Sequence, residues 1–420
     1  MRILVATHQW FPDYTGGSAR VATETARALA RRGHELVVLA PRGKTPVAES
    51  EAALSVERVL PRGRLPRTLT DVLWTAAHAR RLCRSSFDVL VAHHPTTAVG
   101  LSSTGLKAPL VFVYHASVVR ELAMLRATLA PRTRRVASLS IGNALAHLER
   151  RTVARAERVV ALSEYSRSLV AMDHPSASSR VCIAPGGVDQ RAFVPAAERV
   201  AVRRSLGLEG EGPLILGVRR LEPCLGLEML LAAVSLVRLS PAPTIALAGQ
   251  GSLAPELSRL GGELGLDGRL KLLGNPSPEV LRALYAAADV FVMSPAPHEG
   301  FGLATLEALA SGTPAVGAPL GATPELLEPL EPRLVATESS APALAKAIER
   351  ALQLADPGFR LRCREYAANR YGWDRVAERW EQVLADATER RPSAGVRARS
   401  ARAVAWFKAR KVPGDKSVSP

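Results

Sequence analysis

The feature that most constrains the fold is an alternation of apolar strands with amphipathic helices, and this alternation occurs twice along the chain. In the first half, the predicted strands are 2–8, 35–40, 88–93, 109–115, 158–163 and 180–185. In the second half, they are 213–218, 244–249, 270–274, 290–294 and 313–318. Strands that alternate with helices form mostly parallel sheets covered by helices on both faces. The sequence therefore predicts an α/β protein of two facing doubly wound, Rossmann-like domains.

The boundaries follow from a turn-rich stretch at 186–212, which interrupts the alternation. Helices of the second half are predicted at 226–239, 253–265, 277–288 and 303–311, with a last amphipathic helix within 371–391. A length of 420 residues is too great for one ordinary core and suits two domains. The predicted units are a first domain at 1–195, a second at 196–372, a helix at 373–390 that returns to the first domain, and a basic disordered tail at 391–420.

Composition indicates a soluble globular protein, with 22% charged and 47% hydrophobic residues. No run approaches the roughly 18 apolar residues that a membrane span needs. The N-terminus is typical of a first β-strand and not of a secretory signal. The four cysteines are far apart and lack metal-ligand spacing, so free thiols in a reducing compartment are expected. The predicted localisation is cytoplasmic.

The net charge of +16 is concentrated in two segments. Residues 391–420 hold eight basic side chains and one acidic one, which gives +7, and residues 116–160 hold nine arginines and three glutamates. Nucleic acid is a poor partner, because aromatics make up only 5% and are not interleaved with the basic positions. Weak, salt-sensitive peripheral contact with anionic membranes is predicted, without insertion, because the apolar residues near 136–148 are needed to cover the sheet.

Two glutamates stand out in the stretch HEGFGLATLEALASG, where Glu299 lies in a loop and Glu307 lies about one turn into a helix that begins near Leu303. Free amide groups and the helix dipole at such a start suit an anionic ligand, and both carboxylates can reach one ligand. Two solvated glutamates are the alternative. Against it, Glu307 has apolar neighbours, among which an unpaired carboxylate would be costly.

This stretch resembles the E-(x)7-E motif of the retaining, nucleotide-sugar-dependent glycosyltransferases of family four, which have the GT-B architecture. Residues 284–325 are similar to that family's signature almost throughout, and further similarity lies at 16–40, 158–170, 183–195 and 247–253. The resemblance covers about residues 1–390. It implies transfer of a sugar from a nucleoside-diphosphate sugar to an acceptor hydroxyl on a glycan, lipid or small molecule. The nucleotide sugar is then the donor substrate in the interdomain cleft, and no cofactor is expected.

The resemblance also implies roles for individual residues. Glu299 would contact the donor sugar near the reacting centre, Glu307 would hold the ribose hydroxyls, and His115 would lie beside the sugar. The backbone positions expected to face the donor and its diphosphate are Gly16, Gly17, Phe301, Gly302 and Leu303. No Asp-x-Asp triplet is present to hold a cation, so metal-independent chemistry is expected.

One part of the motif departs from the family, which usually has Gly-Arg-Leu-x-x-x-Lys-Gly after the first strand of the second domain. Here Arg220 occupies the Arg position and Leu225 the Lys position, and Arg219 is an additional cation. A leucine cannot neutralise a phosphate, and adjacent strand residues point to opposite faces. Three functions stay open: a transferase, a sugar-nucleotide epimerase, and a catalytically silent binding or scaffold protein. A dinucleotide oxidoreductase is disfavoured, because the first turn lacks G-x-G-x-x-G.

Overall fold

A computed structural model describes most of the chain. The described residues are 1–14, 16–41, 50–51, 53–59, 67–82, 86–117, 120, 141–296 and 299–389. The tail at 391–420 and the arginines at 126–135 lie outside the described residues, so the predictions made for them are not addressed by the structure.

The first half forms an eight-stranded sheet in the order β3-β4-β2-β1-β5-β6-β7-β8. Its strands are β1 Arg2–Ala6, β2 Glu35–Pro41, β3 Ser50–Glu51, β4 Leu54–Val59, β5 Val89–Ala92, β6 Leu110–Tyr114, β7 Arg158–Ala161 and β8 Val181–Ile183. All pairs are parallel except β3 with β4. The central strands are buried because helices cover the sheet, as the apolar runs predict.

The helices of this half are α1 Gly17–Arg31, α2 Arg67–Arg81, α3 Pro95–Ser102, α4 Ile141–Arg155 and α5 Glu164–Asp173, followed by a 3-10 helix at Pro175–Arg180. Helix α5 begins where it does because Ser163 caps it: the Ser163 side chain accepts a hydrogen bond of 2.9 Å from the Ser166 backbone N–H. Helix α1 starts instead at a glycine pair without a side-chain cap.

The second half forms a five-stranded, all-parallel sheet in the order β11-β10-β9-β12-β13. Its strands are β9 Leu214–Val218, β10 Thr244–Ala248, β11 Leu270–Leu272, β12 Val290–Met293 and β13 Ala315–Gly317. Its helices are α6 Arg199–Ser205, α7 Leu227–Leu236, α8 Ala254–Glu263, α9 Pro278–Ala287, α10 Leu303–Ala310, α11 Thr323–Leu327, α12 Ala341–Leu354, α13 Pro357–Tyr371 and α14 Trp373–Thr388, with a 3-10 helix at Pro332–Leu334. None of the described helices combines the length and the apolar character that crossing a membrane requires.

The structure confirms the predicted fold class and each predicted strand, although most strands are shorter than predicted. One difference lies in the stretch 186–212, which contains helix α6. This helix is held by tertiary contacts, because Arg203 donates to the Asp289 carboxylate over 2.6 Å and Arg199 binds the same carboxylate. Turn-forming residues around α6 concealed it in the sequence.

The last helix, α14, packs against α1 of the first half of the chain. Arg32 of the α1 C-terminus binds Glu381 through two hydrogen bonds of 2.9 and 2.8 Å, and His34 lies 3.1 Å from the same carboxylate. The last described helix therefore packs against the first domain.

Candidate donor-binding site

Two helix N-termini from different domains lie close together, that of α1, which follows β1, and that of α10, which follows β12. Helix α1 begins after Gly16 and helix α10 after Gly302, and neither start has a side-chain cap or an acidic residue in its first turn. A Cβ atom on Gly17 would lie 3.7 Å from the Leu303 side chain. Uncapped amide groups and two helix dipoles thus point into one region, which suits a ligand of high negative charge.

The loop before α10 is anchored on the first domain through Gly300. The Gly300 carbonyl accepts hydrogen bonds from the hydroxyls of Ser163 (2.6 Å) and Ser166 (2.9 Å). A Cβ atom on Gly300 would lie 3.1 Å from the backbone oxygen of His115. The predicted sugar-contacting residues Glu299 and His115 therefore belong to neighbouring segments of the two domains.

Glu299 forms an ion pair that the sequence did not reveal. Its Oε2 lies 2.5 Å from Nη1 of Arg219, and the two side chains are only 20% and 15% exposed. The same Arg219 nitrogen lies 3.3 Å from the Met293 sulfur. Arg219 was predicted as an additional diphosphate cation, but in the structure its guanidinium binds the carboxylate expected at the donor sugar.

Glu307 is buried and bound on both of its oxygens. Arg20 of α1 lies 2.8 Å from Oε1, and the Tyr285 hydroxyl donates to Oε2 over 2.8 Å. Burial raises the pKa of Glu307, and the charge of Arg20 and the Tyr285 hydrogen bond oppose that rise. The apolar neighbours of Glu307 were used in the sequence to favour a bound ligand. In the structure the carboxylate is bound by protein groups, Arg20 of the first domain and Tyr285 of its own domain.

The segment after β9 separates its two arginines. Arg219 is mostly buried, whereas Arg220 is exposed and makes no hydrogen bond or ion pair with any described residue. Leu225 is 8% exposed. The adjacent Gly226 has φ +73, and a Cβ atom there would lie 1.9 Å from the Pro295 carbonyl oxygen, so a glycine is required. Of the two positions that the family uses for cations, only that of Arg220 presents a charge here.

His115 follows β6 and contacts His93, which follows the neighbouring strand β5. Nε2 of His115 lies 3.0 Å from Nδ1 of His93, and the rings stack with centroids 5.3 Å apart. Burial lowers the pKa of His93 to about 3 and lowers the pKa of His115 well below its usual value. Both rings are therefore neutral near pH 7, with one nitrogen of the pair donating and the other accepting. Within the described ranges, no group of three metal-ligating side chains lies close enough to hold a metal ion.

Comparisons with known proteins agree with this architecture. Residues 15–191 match the family described as Glycosyltransferase Family 4, and residues 198–370 match Glycosyl transferases group 1. The D-inositol 3-phosphate glycosyltransferase of Xylanimonas cellulosilytica is 31% identical over 90% of this chain and 93% of its own length. The chain belongs to the family 4 glycosyltransferases.

Solved structures of this glycosyltransferase's fold include sucrose-phosphate synthase from Thermosynechococcus elongatus, with a TM-score of 0.72, 22% identity and coverage of 92% of this chain and 98% of that one. Anabaena HepE in complex with UDP-glucose has a TM-score of 0.69 and 20% identity, and covers 92% of this chain and 99% of its own. These likenesses confirm the GT-B fold of the family 4 glycosyltransferase described above.

Proposed function

We propose that this glycosyltransferase moves a sugar from a nucleoside diphosphate to an acceptor hydroxyl with retention of configuration, without a metal ion, in the cleft between its two domains. The observation that carries the proposal is the meeting of two uncapped helix starts, at Gly17 and Leu303, with Glu299 and Glu307 flanking the second of them. An anionic leaving group and a hydroxyl-rich ligand are the chemistry that such a site suits.

In the proposed reaction, the diphosphate lies between the two helix starts and Arg220, which is exposed and makes no ion pair with a described residue. Glu307 accepts hydrogen bonds from the ribose hydroxyls, and Glu299 and His115 orient the sugar. The bond from the anomeric carbon to the diphosphate oxygen breaks as the acceptor oxygen bonds to the same face. The acceptor proton passes to the leaving diphosphate, whose growing charge the amide groups and Arg220 stabilise.

The relatives support the choice of ligands. Anabaena HepE was crystallised with UDP-glucose, which favours a nucleoside-diphosphate sugar as donor. D-inositol 3-phosphate appears in the name of the Xylanimonas relative and is the first acceptor to test. The second candidate, a silent sugar-nucleotide-binding protein, is favoured by Leu225 and by the engagement of Arg219 with Glu299, because both reduce the positive charge available to a diphosphate.

The test begins with a thermal-shift screen of UDP-, ADP- and GDP-sugars. A ligand at 100 times its dissociation constant should stabilise the protein by about 2.7 kcal/mol. The donor found is then incubated with inositol 3-phosphate and with a panel of other polyol, glycan and lipid acceptors, and the products are separated. Free nucleoside diphosphate with an α-linked product from an α-linked donor supports the proposal.

Three other outcomes contradict it. An altered donor sugar without transfer indicates an epimerase, and binding without turnover across the panel indicates a silent protein. An inverted linkage refutes retention alone.

A further inference from the structure

Arg20 links the two halves of the site. Among the described residues, it is the one basic side chain of the first domain that binds a residue of the second domain's half of the site. It lies one turn into α1, binds Glu307 over 2.8 Å, and is 20% exposed. Its guanidinium carbon stands 4.7 Å from the ring centroid of Phe11 and 5.9 Å from that of Phe193. The two rings and the carboxylate hold the charge at the inner wall of the cleft, at the same helix start as the glycine pair.

The Glu307 carboxylate has no oxygen left without a partner. Arg20 holds one oxygen and Tyr285 the other, each at 2.8 Å. A ribose whose hydroxyls donate to this carboxylate must therefore replace Arg20 or share an oxygen with it. Tyr285 is buried within the second domain, whereas Arg20 extends from the opposite domain on a long, flexible side chain. We therefore expect the ribose to displace Arg20 from the carboxylate and not Tyr285.

A displaced Arg20 is close to the start of its own helix. Side chains of a helix lean toward its N-terminus, so a guanidinium released by Glu307 can reach the start of α1 at Gly17. That start faces Leu303 across the cleft and is where the diphosphate is proposed to lie. A second cation there would add to the charge of Arg220, since position 225 carries a buried leucine and Arg219 is bound to Glu299.

We propose that Arg20 is a donor-binding residue that exchanges the Glu307 carboxylate for the diphosphate when the ribose binds, and so supplies the cation absent from position 225. The proposal rests on the proposed function, since it takes a nucleoside diphosphate as the ligand of this cleft. It differs from a purely structural role, in which Arg20 only ties the two domains together.

The two roles predict different effects on ligands with and without phosphates. Loss of Arg20 should free Glu307 for the ribose, so the affinity for a nucleoside should stay the same or rise. The affinity for the matching nucleoside diphosphate should fall by about tenfold or more, the effect of one charge-assisted contact. If Arg20 only links the two domains, its loss should change the affinities for nucleoside and nucleoside diphosphate by the same factor.

The experiment is calorimetric titration of the full chain with UDP, ADP, GDP and the three matching nucleosides. The variants are R20M, which keeps the length of the side chain without its charge, and R20K, which keeps the charge and should lose less. Arg31, exposed on the same helix, provides the matched control R31M, which should bind like the wild type. Adding L225K to R20M should restore part of the lost diphosphate affinity.

Equal losses for nucleoside and diphosphate in R20M, or no loss of diphosphate affinity, would overturn the exchange. The variant E307Q distinguishes a failure of the Arg20 exchange from a failure of the proposed function. If Glu307 binds the ribose, E307Q should weaken the binding of the nucleoside and of the nucleoside diphosphate by the same factor. Wild-type protein that binds none of the six compounds, or an E307Q that binds them unchanged, would refute the site itself, and the role of Arg20 with it.

Discussion

Acid should destabilise the first domain through His93, a buried histidine whose ring contacts that of His115. Burial lowers the pKa of His93 to about 3 in the folded chain, whereas an unfolded histidine has a pKa of about 6.5. Between these values, the unfolded chain binds a proton that the folded chain does not, so stability falls as the pH falls. Lowering the pH from about 7.5 to about 5.5 should cost about 1.4 kcal/mol of unfolding free energy for His93, and the lowered pKa of His115 acts in the same direction.

The measurement is urea denaturation of the wild type and of His93→Asn at both pH values. Asparagine can keep a hydrogen bond to His115 but does not titrate, so the loss between the two pH values should shrink by about 1.4 kcal/mol. His147, an exposed histidine of helix α4 in the same domain, provides the control His147→Asn, whose loss should equal that of the wild type. Comparing differences between pH values removes contributions that all variants share.

An unchanged loss in His93→Asn would refute the reasoning, because the proton would then bind elsewhere or His93 would be accessible to it. A loss that shrinks equally in His147→Asn would show that the effect is not specific to His93.

Four further predictions concern the site and the charged surface. Glu299→Ala should lower turnover by at least about 100-fold while circular dichroism shows an intact fold. Glu307→Ala should mainly raise the donor dissociation constant, and steady-state kinetics with calorimetry can separate the two effects. Near-normal turnover in Glu299→Ala would refute the role proposed for Glu299. Arg220→Ala should weaken donor binding and Leu225→Lys should strengthen it, and a null result for both in titrations would move the diphosphate elsewhere. Activity should survive dialysis against EDTA, and a loss restored by added divalent cation would contradict metal independence. Co-sedimentation with anionic vesicles should disappear at high salt and fall on deletion of 391–420, whereas equal binding to neutral vesicles would exclude the charge mechanism.

The sequence alone determined the fold class and the position of the two glutamates. Strands buried on both faces require apolar runs, and alternation of such runs with helices leaves few architectures, so β1, β2 and β5–β13 were all predictable. Most of their lengths were overestimated, because strand pairing stops before the predicted runs end. The place of Glu307 just inside a helix start also followed from local pattern, since the periodicity of LATLEALA begins at Leu303.

Only the tertiary structure decided which charges meet. Arg20 and Glu307 are 287 residues apart, and Arg219 and Glu299 are 80 apart. No local sequence pattern predicts these ion pairs. The partner of each side chain depends on how the two sheets place the helix starts and strand ends next to one another. The glycine pair predicted an anion site, but not that the arginine three residues later would hold the second glutamate. Likewise His93 and His115 follow neighbouring strands of a parallel sheet. Neither segment by itself shows that these strands are neighbours, which is what brings a nitrogen of each ring within 3.0 Å of the other.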